Sequence, residues 1–82
     1  MDRNDVLNLI IRCTREVIPG LDTHAFAPHD RLESLGANSV DRAEIATLAM
    51  ESLALNFPRI EISGPKTIGE LAALLHDKLP RA

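Results

Sequence analysis

Tryptophan and tyrosine are absent from this 82-residue chain, phenylalanine occurs twice and cysteine once. So few aromatics leave a core to be filled by Leu, Ile, Val and Ala, and they provide no series of rings on which nucleic-acid bases would stack. The lone Cys13 rules out an intramolecular disulfide, and with it the disulfide scaffolds of small secreted proteins, so a reducing cytoplasm is the expected setting. No apolar run approaches the roughly 20 residues needed to span a bilayer. The charged start MDRND is not followed by a signal-type apolar core and cleavage site, so the mature protein is expected to be the whole chain, with no membrane partner. There is no Lys/Arg cluster, and the formal net charge is -3 with a pI of about 5.5. That balance argues against nucleic acid and for protein partners with basic patches. His24, His29 and His76 are scattered without metal-ligand spacing, so no metal site is expected.

What remains is 45% hydrophobic and 26% charged. One small domain over 1–82 follows, too short for a deep catalytic cleft and expected to be monomeric, because a single bundle can use up its apolar residues. Val6, Leu9, Ile10, Cys13 and Val17 recur at spacings of three and four, which predicts a first helix over 4–18 stopped by Pro19 and Gly20. A long loop follows to residue 35, with Phe26, Leu32 and Leu35 as anchors onto the bundle and Phe26 filling core. A second helix is predicted over 39–53, with Val40, Ala43, Ala46 or Thr47, Met50 and Leu53 as its buried stripe and Asn56 and Pro58 marking its end. The stretch FPRIEI reads as an extended connection inserting Phe57, Ile60 and Ile62 into the core. Thr67 is the predicted N-cap of a last helix that ends before Pro80, with Glu70 completing a capping box and Ile68, Leu71, Leu74, Leu75 and Leu79 facing inward. The fold class is therefore all-α: three main helices plus a short minor turn around 63–66, with a long loop between the first two helices.

The stretch LGANSVDRAEI poses the functional question. Asn38 and Ser39 follow Gly36 and stand at the start of the second helix. Either is a favoured N-cap, and a hydroxyl there lies beside the free N–H groups and positive dipole end of the helix, where a phosphate ester would be accommodated. No Gly-x-Ser-x-Gly turn and no triad pattern surrounds Ser39, so a hydrolase is not indicated.

On these residues the chain resembles an acyl carrier protein. In that family a loop ending in Gly-x-Asp-Ser-Leu delivers a serine to the second helix, and here LESLGANSVDRAEI matches it, with Leu32, Leu35 and Gly36 before Ser39 and Val40, Ala43, Glu44 and Ile45 after. FPRIEI and KTIGELAALL extend the resemblance over nearly the whole chain. Two departures stand out: the usual aspartate is Asn38, and the following leucine is Val40. The resemblance implies a 4′-phosphopantetheine arm attached to Ser39 by a phosphopantetheinyl transferase using coenzyme A, and acyl groups carried as thioesters without catalysis by the chain itself. It also implies docking through the second helix, for which Asn38, Val40, Asp41, Arg42, Ala43, Glu44 and Thr47 are the candidates, with Arg42 interrupting an otherwise acidic surface. GANSVDRAEI is similar in particular to the discrete donor carriers of polyketide β-branching, which present acetyl to an HMG-CoA synthase-like enzyme and also meet acyltransferase or ketosynthase-like enzymes. Competing readings are a fatty-acid or other acyl or aminoacyl carrier, and a helical interaction module in which the serine is only a cap.

Overall fold

The computed structural model describes residues 2–56 and 64–79. Among the described residues there are three helices: α1 (Arg3–Val17), α2 (Ser39–Ser52) and α3 (Ile68–Lys78). Among the described residues there is no β-strand, only an isolated antiparallel bridge between Arg31 and Thr67. No helix among the described residues is long and apolar enough to cross a membrane.

Helix α1 begins where Asp2 accepts the Asp5 N–H at 2.9 Å while the Asp5 carboxylate accepts the Asp2 N–H at 3.0 Å. This reciprocal box satisfies two of the donors that a helix start leaves open. Its predicted face is the observed one: Val6, Leu9, Ile10 and Cys13 are buried and Val17 is half-buried. Thr14 joins them, and its buried hydroxyl donates to the Ile10 carbonyl at 2.8 Å, so burial leaves no polar group unpaired. Burial also pushes the Cys13 thiol above its ordinary value, with Glu16 adding to the effect and Arg12 opposing it. α1 makes the principal contacts with both α2 and α3, so the core gathers along it: Ile10, Ile45, Ile68 and Leu75 are fully enclosed.

Helix α2 keeps the inner part of its predicted stripe, with Ala46 and Met50 buried and Leu53 half-buried against the core, but not the part nearest Ser39. Ile45, Ala46, Ala49 and Met50 are buried, whereas Val40 is 71% exposed and Ala43 and Thr47 are half-buried. Apolar residues occur on nearly every side of α2, so periodicity had no polar face to work against; the packing of Ile45 under α1 selects the phase. The helix ends within a residue of the predicted position, ahead of Asn56 and Pro58. Leu53 is the C-cap, Ala54 takes a left-handed φ of 55°, and the Leu55 N–H donates to the Met50 carbonyl at 2.8 Å. This is a Schellman closure in which alanine occupies a place usually held by glycine.

The loop between α1 and α2 is tied to the start of α3. The carbonyls of Asp30 and Pro28 accept the N–H groups of Ile68 and Gly69 at 2.9 and 2.8 Å, satisfying two open donors of the first turn. A Cβ at Gly69 would lie 2.6 Å from the Pro28 oxygen, so this approach requires glycine. Leu32 is buried and Leu35 is half-buried against the core, as expected of anchors. Phe26 also packs against the core as an anchor but is only half-buried, edge-on to His24 with ring centroids 4.7 Å apart and with the Arg15 guanidinium 5.1 Å from its centroid. A ring between two polar groups cannot sink fully, and it stays at the rim.

Thr67 caps α3, its hydroxyl oxygen accepting the Glu70 N–H at 3.0 Å. Glu70 does not complete the predicted box; its carboxylate instead accepts the Thr67 hydroxyl at 3.3 Å. The predicted minor turn over 63–66 is not formed at Gly64, Pro65 and Lys66, and residue 63 lies outside the described residues. The bridge to Arg31 holds Thr67 in an extended conformation, which leaves no helical turn directly before α3. Phe57, Ile60 and Ile62, expected to insert into the core, also lie outside the described residues.

Candidate functional site

The chain reaches Ser39 through a short device built on Gly36. Within 31–37 the Leu35 N–H donates to the Arg31 carbonyl and the Ala37 N–H to the Leu32 carbonyl, at 3.1 and 3.0 Å. Gly36 reverses the chain at φ +98°, a region where a Cβ is strained whatever space surrounds it. The reversal tucks Ala37 into the core at 2% exposure. The next residue, Asn38, is thereby delivered to the N-cap of α2.

Asn38 resolves the choice between the two candidate caps. Its Oδ1 accepts the Asp41 N–H at 2.8 Å, and the Asp41 carboxylate accepts the Asn38 N–H at 3.2 Å. Ser39 is the first helical residue, exposed, and its hydroxyl engages no hydrogen-bond partner among the described residues. Capping therefore does not account for the serine.

The seven docking candidates separate into three groups. Asn38 and Asp41 are engaged with the backbone at the junction and hold it in shape. Val40, Ala43, Glu44 and Thr47, spaced at i, i+3, i+4 and i+7, share a shallow trough with Ser39. The Thr47 hydroxyl is turned to the Ala43 carbonyl at 2.8 Å, so its methyl is what it offers there. Arg42 departs to the opposite flank, where its Nη1 donates to the Ala37 carbonyl at 2.9 Å and it lines a second depression with Arg31, Leu32, Glu33, Pro65 and Lys66. Sequence reasoning missed Lys66, because only the Arg31–Thr67 bridge brings it alongside.

It also missed the joining of His24 to Asp30. His24 Nε2–H donates to the Asp30 carboxylate at 3.2 Å, and the same carboxylate oxygen accepts the Ala27 N–H at 2.9 Å, while His29 stands 4.0 Å from the other oxygen. The Ala27 N–H, and then His24, hold the Asp30 carboxyl below its ordinary value of 3.8. Among the described residues no group of three His, Cys, Asp or Glu side chains is placed to hold a metal ion; the bonds to His24 and the Ala27 N–H brace the loop.

The pattern of the family described as "Phosphopantetheine attachment site" matches residues 8–75. The chain belongs to this family of acyl carriers. The carrier is 52% identical, over all 82 residues and the full length of both chains, to the polyketide biosynthesis acyl-carrier-protein AcpK of Bacillus subtilis (strain 168). With a TM-score of 0.91 and 49% identity, over 95% of this carrier and 100% of the other chain, it also matches a chain of the crystal structure of the Curacin biosynthetic pathway HMG synthase in complex with acetyl donor-ACP. As a carrier it conveys acyl groups and is not itself a catalyst. Its cofactor is covalent 4′-phosphopantetheine. The geometry at the start of α2 fits that group: an exposed hydroxyl without an internal partner, at the positive end of a helix whose cap is supplied by the preceding residue, beside a trough running along the helix.

Proposed function

We propose that Ser39 Oγ is the point of attachment of 4′-phosphopantetheine, and that the loaded chain is an acetyl-donor carrier for an HMG-CoA synthase-like enzyme in polyketide β-branching. The observation that carries the first part is the division of labour between neighbours: Asn38 caps, which leaves the Ser39 hydroxyl exposed and unengaged. In the attachment reaction Ser39 Oγ bonds to the pantetheine-side phosphorus of coenzyme A and gives its proton to the transferase. The pyrophosphate link breaks and adenosine 3′,5′-bisphosphate leaves. The bound arm supplies a thiol that holds an acyl group as a thioester.

The chain's own residues present that cargo. The Asn38–Asp41 box fixes the direction in which Ser39 leaves the helix, and Val40, Ala43, Glu44 and Thr47 form the surface beside it on which an enzyme would settle. Tethering replaces free diffusion of the acyl group with an effective concentration set by arm length and docking. The donor role is supported by the near-complete match, at 49% identity, to a chain of a complex between an HMG synthase and an acetyl donor carrier. Acyltransferase or ketosynthase-like enzymes are the partners that would load such a carrier, in the cytoplasm.

Intact-protein mass spectrometry tests the attachment. After incubation with coenzyme A, magnesium and a broad-specificity phosphopantetheinyl transferase, the parent is expected to gain one phosphopantetheine and Ser39→Ala none. A folded parent that stays unmodified with several transferases would overturn the assignment. For the donor role, the acetylated holo form is mixed with the Curacin-pathway HMG synthase and acetyl transfer to the synthase is followed by mass; no transfer, or equal transfer from an acetylated housekeeping fatty-acid carrier, would remove it.

A further inference from the structure

We propose that Arg31, Arg42 and Lys66 form a cationic cleft that receives a carboxylate-bearing segment of the partner synthase, so that the carrier docks with surfaces of both signs. The inference rests on the donor reading above and deepens it. The three cations line one depression in which Glu33 is the single carboxylate among the described residues, on a chain whose formal net charge is -3. Concentrated positive charge on an acidic molecule is a local feature that net charge conceals.

The cleft is built from tied parts. The Arg31–Thr67 bridge sets Arg31 beside the chain that carries Lys66, and the Asp30 carbonyl locks that chain through the Ile68 N–H at 2.9 Å. From the other side, Arg42 is fixed by its 2.9 Å bond to the Ala37 carbonyl. That bond uses one of five guanidinium donors and leaves the others for a ligand. Among the described residues none of the three cations has an ion-pair partner, and Glu33 has none either. Two guanidinium groups favour a planar, bidentate acceptor, which a carboxylate provides.

Position gives the cleft its meaning. Arg42 lies one helical turn beyond Ser39, on the flank away from the Val40, Ala43, Glu44 and Thr47 trough. An enzyme seated on the trough would present its edge to the cleft, so the two contacts together fix the rotation of the carrier about Ser39. Basic groups on the enzyme would meet Glu44, and acidic ones would meet the cleft. A partner with only basic docking residues would be repelled there, which makes the cleft a means of choosing among enzymes.

The test measures binding of holo carrier to the Curacin-pathway HMG synthase by calorimetry at low and high salt, for the parent, the double variant Arg31→Glu/Lys66→Glu, and Glu33→Gln. Arg31, Lys66 and Glu33 are exposed, so these changes leave the core intact. The double variant is expected to bind about tenfold or more weakly at low salt, with the difference narrowing at high salt. Glu33→Gln is expected to tighten binding by up to about fivefold, a gain that misfolding cannot imitate. Ser39 modification by the transferase should proceed alike in all three. If the parent binds and neither variant changes its affinity, the cleft proposal is overturned while the donor reading stands. If the double variant is modified more slowly by the transferase but, once fully loaded, binds the synthase as tightly as the parent, the cleft serves the anionic nucleotide of coenzyme A and the proposal is again overturned. A parent that does not bind the synthase overturns both readings.

Discussion

At the scale of the residue, two adjacent side chains of similar capping ability have different duties. Asn38 closes the first turn of α2 through its 2.8 Å bond to the Asp41 N–H, and Ser39 is left outside that network. Asn38→Ala is therefore expected to lower stability by about 1 kcal/mol in urea unfolding, and Asn38→Asp, which keeps the acceptor oxygen, to change it by only a few tenths. Both variants retain Ser39, so both should still accept the arm once folded. A destabilisation by Asn38→Asp as large as that by Asn38→Ala would show that the capping bond is not what Asn38 contributes. The sequence narrowed the cap to Asn38 or Ser39 and went no further. Cap identity depends on which residue lies outside the helix, and Gly36 decides that through a chain reversal whose register is not written in composition.

At the scale of the element, the loop between α1 and α2 is an ordered part of the fold because its carbonyls cap α3 and its own side chains cross-link it. Asp30 stands at the centre, accepting from the Ala27 N–H and from His24 while its carbonyl accepts from Ile68. Its carboxyl is held below the ordinary value of 3.8, so the folded state favours the charged form. Its contribution is therefore present above the unfolded pKa and lost as pH falls through the lower folded one. Asp30→Asn is expected to melt at a lower temperature than the parent at neutral pH, with the two curves converging below about pH 3.8. A constant difference across that range in thermal melts would mean the charge has no part in it. None of this bracing was legible beforehand, since backbone bonds between residues 28–30 and 68–69 leave no periodic trace. The helices were legible where one face is polar: α1 and the start of α3 fell within a residue of the predicted positions. α2 was legible in extent but only partly in phase: Ala46, Met50 and Leu53 turn inward as predicted, whereas Val40 stays outside because apolar residues surround the axis.

At the scale of the molecule, all three helices depend on a core drawn along α1, and the serine depends on it too. Ile10 is fully enclosed on the face that α1 turns to the other helices. Truncating it removes apolar contact and leaves a cavity, which together cost about 2–5 kcal/mol. Domains of ordinary size are stable by only about 5–15 kcal/mol, and a chain this small belongs near the lower end because it buries a smaller fraction of its surface. Ile10→Ala should therefore unfold at much lower urea than the parent and, near its midpoint, accept phosphopantetheine in proportion to the folded fraction. On the proposed assignment, the transferase would meet Ser39 correctly only when Gly36, Asn38 and the first turn of α2 are in place. Circular dichroism and intact mass, read on the same samples along a urea series that the transferase tolerates, check this directly. Modification that persists after the helical signal is gone would mean that the enzyme reads the local sequence around Ser39. Modification that falls with the helical signal would mean that it reads the folded junction, and the core of α1 would then count among the determinants of loading.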